Sequence, residues 1–333
     1  MAGPTKNHTD ESPRQPFGLV DLALLAVVAI WGANFSIIKV AMEGLSPAVF
    51  NAVRFTAATA IVLLAARLTG HDWQVDRGDA VRLTALGLVG NTTYQLFFIN
   101  GIARTSAGNA ALMLGGVPVY VALIGAAMGL ERLGRRGWLG CLLAFGGTAL
   151  VVAGSGQAVD VKSESLWGTL SALCAAMAWA LYTVLSRPLL QRHSPVKVTG
   201  LSMAAGVPGL LLAAAPKWGA QDWAAVPLQG WLGIAYSAVL ALGLAYVIWN
   251  AGVKQVGSAR TAIYVNLQPV LAVLIGWQWL GEGLGWIQVV GAAVIVAGVL
   301  LTRMGTAQVS VHVLAPAECP GAQRKGVSKP SGP

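Results

Sequence analysis

Charge is scarce in this sequence. Only 11% of its 333 residues are Asp, Glu, Lys or Arg, against roughly 25% in an ordinary globular domain. None of its 13 acids falls in the middle of a long apolar stretch. Cysteine is also rare: Cys141, Cys174 and Cys319 are too few for a disulfide framework, and the first two lie in apolar segments as small packing residues. The four histidines, His8, His71, His193 and His312, all fall in tails or connections, and neither HExxH nor GxSxG occurs. A membrane-embedded enzyme needs a nucleophile, a metal cluster or an acid pair, so the chain is not read as an enzyme, and no metal or cofactor is expected. No G-x-x-x-x-G-K-[ST] loop is present to cradle a phosphate, which excludes ATP hydrolysis as a driving force. The run Gly281-Glu282-Gly283-Leu284-Gly285 lacks both the spacing of a nucleotide fingerprint and a strand before it.

What is abundant is apolar length. Hydrophobic residues make up 56% of the chain, and windows of about 20 such residues mark membrane spans. Ten are found: Leu19 to Val40, Pro47 to Leu68, Val81 to Ile102, Ala107 to Leu130, Gly137 to Ala153, Leu166 to Ser186, Val198 to Ala215, Trp231 to Val253, Ala259 to Gly281 and Trp286 to Leu301. The chain reads as an all-α polytopic membrane protein whose partner is the lipid bilayer. Its first span is read as a retained helix, because the stretch before it is too long for a signal peptide and lacks a cleavage site.

The net charge of +9 does not point to nucleic acid, because the basic residues are spread over short connections. With a cytoplasmic N-terminus, seventeen fall on the inside and four, Lys39, Arg104, Lys162 and Lys217, on the outside. That asymmetry predicts a multi-pass plasma (inner) membrane protein with both termini cytoplasmic. Trp73, Trp138, Trp167, Trp218, Trp223, Trp231 and Trp286 lie near predicted boundaries, as an aromatic belt would.

The two halves of the chain repeat one another. At an offset of 151, Pro118 meets Pro269, Leu123 meets Leu274, Glu131 meets Glu282, Leu133 meets Leu284, Gly140 meets Gly291 and Gly147 meets Gly298. At 148, Trp31 meets Trp179, Lys39 meets Arg187 and Ser46-Pro47 meets Ser194-Pro195. Five spans per half is an odd number, so the second copy enters the membrane from the opposite side. The expected organisation is a cytoplasmic tail (1–18), a first five-helix repeat (19–153), an external linker (154–165), a second five-helix repeat (166–303) and a disordered cytoplasmic tail (304–333). Ten transmembrane helices arranged as two inverted repeats have the geometry of alternating access.

Both halves interrupt a span at the same place, with "GGVPVY" (Gly115 to Tyr120) and "NLQPVL" (Asn266 to Leu271). Proline and paired glycines break a helix, and a broken helix in a membrane is tolerated where it lines a cavity. Paired interruptions therefore point to a binding site, although prolines also kink helices merely to fit. On helical spacing, Ser106, Asn109, Met113, Gly116 and Tyr120 share one face, as do Arg260, Tyr264 and Gln268. Trp31, Trp179 and Trp249, with Tyr94, Tyr120, Tyr182, Tyr246 and Tyr264, are aromatic candidates for the same cavity, or for simple packing. Asn34 is one of several uncharged polar groups at membrane depth, which interhelical hydrogen bonds also explain. The spacing of Gly125 and Gly129 signals close helix packing.

These pieces resemble the EamA-type transporters of the drug/metabolite transporter superfamily. The resemblance rests on "WGANFSIIK" (Trp31 to Lys39), "SPAVFNAVRF" (Ser46 to Phe55), "GLERLGRRGWLGCLLAFGGTALV" (Gly129 to Val151) and "WLGEGLGWIQVVGAAVIVAGVLL" (Trp279 to Leu301). It implies a ten-helix inner-membrane carrier with a central cavity, exporting small metabolites or amphipathic compounds such as amino acids. Small relatives that expel cations use a carboxylate in the first helix. Here that helix carries Trp31, Gly32 and Asn34, and Asp21 only at its end.

Arg54 is the one charge deep within a span. A buried guanidinium grips a substrate carboxylate, clamps helix carbonyls or snorkels outward. Glu131 and Glu282 end the fourth and ninth spans, where the helix dipole disfavours an acid. A basic partner such as Arg132, Arg135 or Arg136 would explain Glu131, and a gating salt bridge is the functional alternative. The candidate cavity is thus Trp31, Asn34, Arg54, Tyr94, Asn109, Met113, Gly116, Pro118, Tyr120, Trp179, Tyr182, Tyr246, Tyr264, Gln268 and Pro269, with Glu131 and Glu282 as gating or structural groups. Two five-helix repeats can close a cavity within one chain, so a monomer suffices. The rival readings are a membrane-embedded enzyme, a channel or non-transporting receptor and, within transport, an importer or facilitator.

Overall fold

A computed structural model describes residues 18–70, 72–104, 107–154, 163–271, 274, 285–304 and 307–308. The readings for most of both tails, most of the linker, Glu282 and the Asn109 side chain lie outside the described residues. The helices are Leu19–Ala41 (α1), Pro47–Leu68 (α2), Arg77–Gly87 (α3), Tyr94–Arg104 (α4), Ala107–Gly115 (α5), Val117–Ala127 (α6) and Arg135–Gly154 (α7). They continue as Ser163–Arg192 (α8), Pro195–Trp218 (α9), Leu228–Tyr236 (α10), Ala245–Val256 (α11), Ser258–Ala262 (α12) and Trp286–Met304 (α13). Apart from a two-residue antiparallel pairing of Arg132–Leu133 with Ala307–Gln308, the described fold is helical.

Six helices among the described residues are long and apolar enough to cross a membrane: Pro47–Leu68, Arg135–Gly154, Leu166–Arg192, Pro195–Trp218, Leu228–Val256 and Trp286–Met304. Leu19–Asn34 and Val117–Ala127 are shorter apolar helices. Leu64, Leu139, Leu142, Leu212, Val289 and Leu300 point outward and are exposed, as lipid-facing side chains must be.

Local chemistry sets the helix ends. Ser46 and Ser194 each accept a hydrogen bond from the backbone three residues on, at 3.4 and 3.3 Å. Pro47 and Pro195 follow in the first turn, where a missing N–H costs nothing. The repeated Ser-Pro pair thus starts α2 and α9 in the same way. At the other end of α6, Gly129 has φ +66, and the amides of Gly129 and Leu130 bond back to the Ala126 and Gly125 carbonyls at 3.1 and 3.0 Å. That is a Schellman termination. A Cβ on Gly129 would meet nothing within 4 Å, so this glycine serves the turn and not the close packing its spacing predicts.

The two halves interlock. The second half's α10 and α11 pack on α1, while α8 packs on α4; α2 packs on α9, and α7 on α13. Each contact has its counterpart under exchange of the copies. The last pair is the tightest, because glycines let the two backbones touch. A Cβ on Gly140 would lie 2.6 Å from the Gly298 carbonyl oxygen, and one on Gly298 2.6 Å from that of Gly140. Gly147 and Gly291 are related in the same way at 2.8 Å in both directions. Such reciprocal contacts are the signature of a two-fold relation between like elements.

Irregular helix also recurs in matching places. A π-helical stretch, Leu88–Thr93, joins α3 to α4, and another, Ser237–Leu244, joins α10 to α11. The first half breaks between α5 and α6 at Gly116, whereas the second runs from α12 into a 3-10 stretch, Ile263–Leu267. The break falls one residue before the first turn of α6, and Pro118 sits within that turn.

Candidate substrate cavity

The interruptions open onto a small central cavity. Leu114 and Val117 flank the break at Gly116, Val265 and Gln268 flank or lie in the 3-10 region, and all four line it. Leu114 and Val265 are equivalent at the offset of 151, as are Val117 and Gln268, and as are two further lining residues, Gln95 and Tyr246. Trp31 and Trp179 are equivalent at 148 and line it too. The cavity therefore sits where the two copies meet about a common axis. Its volume is about 60 Å³, on a measure in which one water takes about 10–15 Å³.

One wall is aromatic. Trp31 meets Trp179 edge-on with centroids 5.5 Å apart and leans on Tyr246 at 6.2 Å. Trp179 packs against Tyr94 at 5.0 Å and Tyr246 at 5.0 Å. Trp249 stands behind both tryptophans, at 5.2 and 5.6 Å, and is fully buried. The indole N–H of Trp31 donates to the Ala241 carbonyl at 2.8 Å. Ala241 lies in the second π-helical stretch, where the shifted backbone ladder leaves a carbonyl able to take an outside donor. Next to it, Ser237 Oγ donates to Asn34 Oδ1 at 2.8 Å.

The other wall is polar and carries a charge. Arg54 on α2 is 1% exposed. Its Nε and Nη2 both donate to Asn51 Oδ1, at 3.0 and 2.9 Å, and Nη2 also donates to Gln95 Oε1 at 2.9 Å. Gln95 in turn donates through Nε2 to the Tyr246 hydroxyl at 3.1 Å. The Phe50 ring lies 5.2 Å from the guanidinium carbon. Among the described residues no carboxylate comes within ion-pairing distance of Arg54.

Of the candidates named from sequence, Trp31, Asn34, Arg54, Tyr94, Trp179, Tyr246 and Gln268 come together here. Tyr182 stacks behind Trp179 at 5.1 Å, its hydroxyl accepting from Asn250 Nδ2 at 2.8 Å. Met113, Gly116, Pro118, Tyr120 and Pro269 are not among the lining residues. Gly116 instead packs under the Tyr120 ring, where a Cβ would lie 2.6 Å from the hydroxyl. Tyr264 is turned elsewhere and donates to the Asp21 carboxylate. Gln95, Phe98, Leu114, Val117, Ala241, Leu242 and Val265 complete the lining. Gln95, Leu114, Val117 and Val265 were open to discovery by applying the repeat offset to residues beside the breaks and to Tyr246.

Glu131 has a definite role in the packing. It is 4% exposed and accepts from Arg187 Nη1 at 2.9 Å, from the Ser258 amide at 2.9 Å and from the Ala259 amide at 3.3 Å. The partner is Arg187 on α8, while Arg135 and Arg136 are exposed. The acid offsets its unfavourable position at the end of α6 by capping the start of α12. Gly257, with φ +93, admits this approach, since a Cβ there would lie 2.9 Å from Glu131 Oε1.

The ion pairs among the described residues gather at this same end of the bundle. Arg303 closes on Asp21 at 2.7 Å. Asp79, fully buried, is held by Arg192 and His193, both at 2.7 Å. Arg192 also reaches Asp76 at 2.9 Å, and Lys197 reaches Asp72 at 3.6 Å. The Asp79 backbone N–H, helped by Arg192, holds the Asp76 carboxyl below its ordinary range. At the opposite end the halves meet through a neutral side chain: Gln221 accepts from the Ser46 amide at 3.1 Å and donates to the Gly44 carbonyl at 3.0 Å.

Comparison with known proteins agrees with this architecture. The EamA-like transporter family model matches residues 18–153 and again 166–304. The chain is 29% identical over 281 residues to the uncharacterized transporter YyaM of Bacillus subtilis (strain 168), covering 84% of this chain and 92% of that one. It is 28% identical over 284 residues to a probable terminal-alkyne amino-acid exporter of Streptantibioticus cattleyicolor, covering 85% and 93%. It is 26% identical over 288 residues to the uncharacterized inner membrane transporter YedA of Escherichia coli (strain K12), covering 85% and 90%. A solved structure titled only "Crystal structure of protein" shares the fold, with a TM-score of 0.70 at 20% identity over 85% of this chain and 95% of that one. The doubled match, spanning most of the sequence, places this chain in the EamA-like transporter family, as a multi-pass membrane transporter of small molecules and not an enzyme.

Proposed function

We propose that the protein is a secondary carrier that exports small amphipathic metabolites, amino acids or related compounds, across the plasma membrane by alternating access. Ten membrane-crossing helices form two inverted five-helix repeats, 19–153 and 166–303, joined by an external linker at 154–165. Both termini and the ion-paired end of the bundle face the cytoplasm, and a single chain encloses the cavity. Trp31, Asn34, Arg54, Tyr94, Trp179, Tyr246 and Gln268 contact the cargo.

The observation that carries this reading is the set of equivalent pairs around one cavity, Trp31 with Trp179, Leu114 with Val265 and Val117 with Gln268. A site lined alike by two inverted copies is reached alike from either membrane face, once one end loosens and the other closes. The exporter from Streptantibioticus cattleyicolor, named for an amino-acid cargo, supports the choice of cargo class. Glu131 serves as a structural lock of the charged end and has to release whenever that end opens.

The test compares metabolites in the medium of cells overproducing the protein with those of cells making Gln268→Trp, which fills the cavity from the second half, at matched membrane levels. Enrichment of one chemical class by the unmutated protein, lost in the variant, is the expected result. Equal enrichment by both would remove the cavity from the transport path. Depletion from the medium would replace export with import.

A further inference from the structure

Resting on the carrier reading, we infer that Arg54 selects the cargo by its carboxylate, so that the substrates are apolar-bodied monocarboxylates, amino acids among them, and not cations. Among the described residues the cavity lining holds one charged side chain, and it is positive. A guanidinium stays protonated, and at 1% exposure it has given up nearly all of its hydration. Such a charge is costly unless something pairs with it.

The partners it has are neutral. Asn51 and Gln95 supply amide oxygens, which fix the direction of the fork without cancelling its charge. All three bonds from Nε and Nη2 go to these side chains, so the group is held rigid along one edge. A carboxylate entering the cavity meets a pre-oriented donor and supplies the missing negative charge. The apolar body then lies against the Trp31, Trp179 and Tyr246 wall, whose π faces give no purchase to a second anion.

The same arrangement disfavours cationic cargo twice over. An ammonium in the cavity meets a like charge at short range, and among the described residues no carboxylate lines the space to receive it. An amino acid is accommodated because its carboxylate pairs with Arg54 while its ammonium is placed over an aromatic face.

The experiment uses the full-length protein purified in detergent and four ligands that keep one apolar body and change its head group: pentanoate, norvaline, pentanamide and pentylammonium. Binding is measured by calorimetry. Charge-assisted hydrogen bonds outweigh neutral ones enough that pentanoate and norvaline are expected to bind about ten- to a hundredfold more tightly than pentanamide, with pentylammonium weakest. In Arg54→Gln the ratio of pentanoate to pentanamide affinity is expected to fall to about one, and in Arg54→Lys to survive in part. The ratio within the unmutated protein is informative even if a variant fails to fold. Equal affinities for pentanoate and pentanamide, tighter binding of pentylammonium, no binding by any of the four, or an unchanged ratio in a folded Arg54→Gln protein would each overturn the inference. The medium comparison stands apart from all of these: export of compounds lacking a carboxylate would keep the carrier and discard the selector.

Discussion

Glu131→Gln is expected to destabilise the charged end of the bundle by about 3–5 kcal/mol, the usual cost of removing one partner from a buried ion pair. The magnitude follows from how much one carboxylate does. It neutralises Arg187, which is only 14% exposed, and satisfies the amides of Ser258 and Ala259 at the start of α12. Glutamine keeps one acceptor oxygen but turns an amide N–H toward groups that are themselves donors. The expected consequence is an open end, read as faster maleimide labelling of Ala259→Cys, a position 1% exposed in this structure. A rise of about tenfold or more corresponds to some 1.4 kcal/mol of the loss. Unfolding in mixed micelles gives the remainder. Exchanging the charges, with Glu131→Arg and Arg187→Glu together, is expected to recover less than half, because arginine accepts no hydrogen bond from Ser258 or Ala259. Unaltered labelling and stability in Glu131→Gln would reduce the acid to an ordinary helix-end charge.

Gly147→Leu is the second large effect, with an expected cost of about 3 kcal/mol or more, at the upper end of what overpacking brings. Its Cβ would press on the backbone of α13, at the Gly291 carbonyl and at Ile295, so relief requires the two helices to separate along their length. Gly291→Leu reaches the same contact from the other helix and is expected to cost a similar amount. The double variant is expected to cost less than the sum, because a seam already parted by one leucine accommodates the second. Gly146→Leu provides the control: one residue away, it faces open space with nothing within 4 Å and is expected to behave as wild type. The yield of monodisperse protein and its melting temperature in detergent measure all four. Equal damage from Gly146→Leu and Gly147→Leu would mean that side-chain volume in lipid, and not the seam, limits stability.

Much of this architecture is legible in the sequence because its signals are local. Ser46-Pro47 and Ser194-Pro195 announce helix starts by their own chemistry, and Pro47–Leu68 extends as far as its apolar run. The repeat is legible for the same reason, since copies of one segment retain their spacing. The misplacement of Tyr264 comes from a hidden change of helical pitch. Arg260, Tyr264 and Gln268 share a face only on a continuous α-helix, but Ile263–Leu267 is 3-10, which turns about 20° more per residue. Over that stretch the faces drift apart, leaving Gln268 in the cavity and Tyr264 against Asp21. Arg187 lies 56 residues from Glu131, and no helical periodicity reports a contact at that separation. The π-helical stretches are equally silent, as "LVGNTT" and "SAVLALGL" carry no proline and one glycine each, which does not mark a fifth residue in the turn.

The network around Arg54 also bears on how the chain is made. Every strong donor contact of the guanidinium is to Asn51 or Gln95, and both precede the second half in order of synthesis. At ribosomal rates of about 5–20 residues per second, translating the second repeat takes on the order of 10–30 s. Through that interval the first half waits in the bilayer without α8 to cover α4 or α9 to cover α2. A charge whose ligands lay in the later half would spend those seconds bare in hydrocarbon, inviting the helix to slip toward the headgroups. Because its ligands arrive beforehand, the second span can hold its depth in the nascent state, and the later copy docks onto a charge already solvated from within.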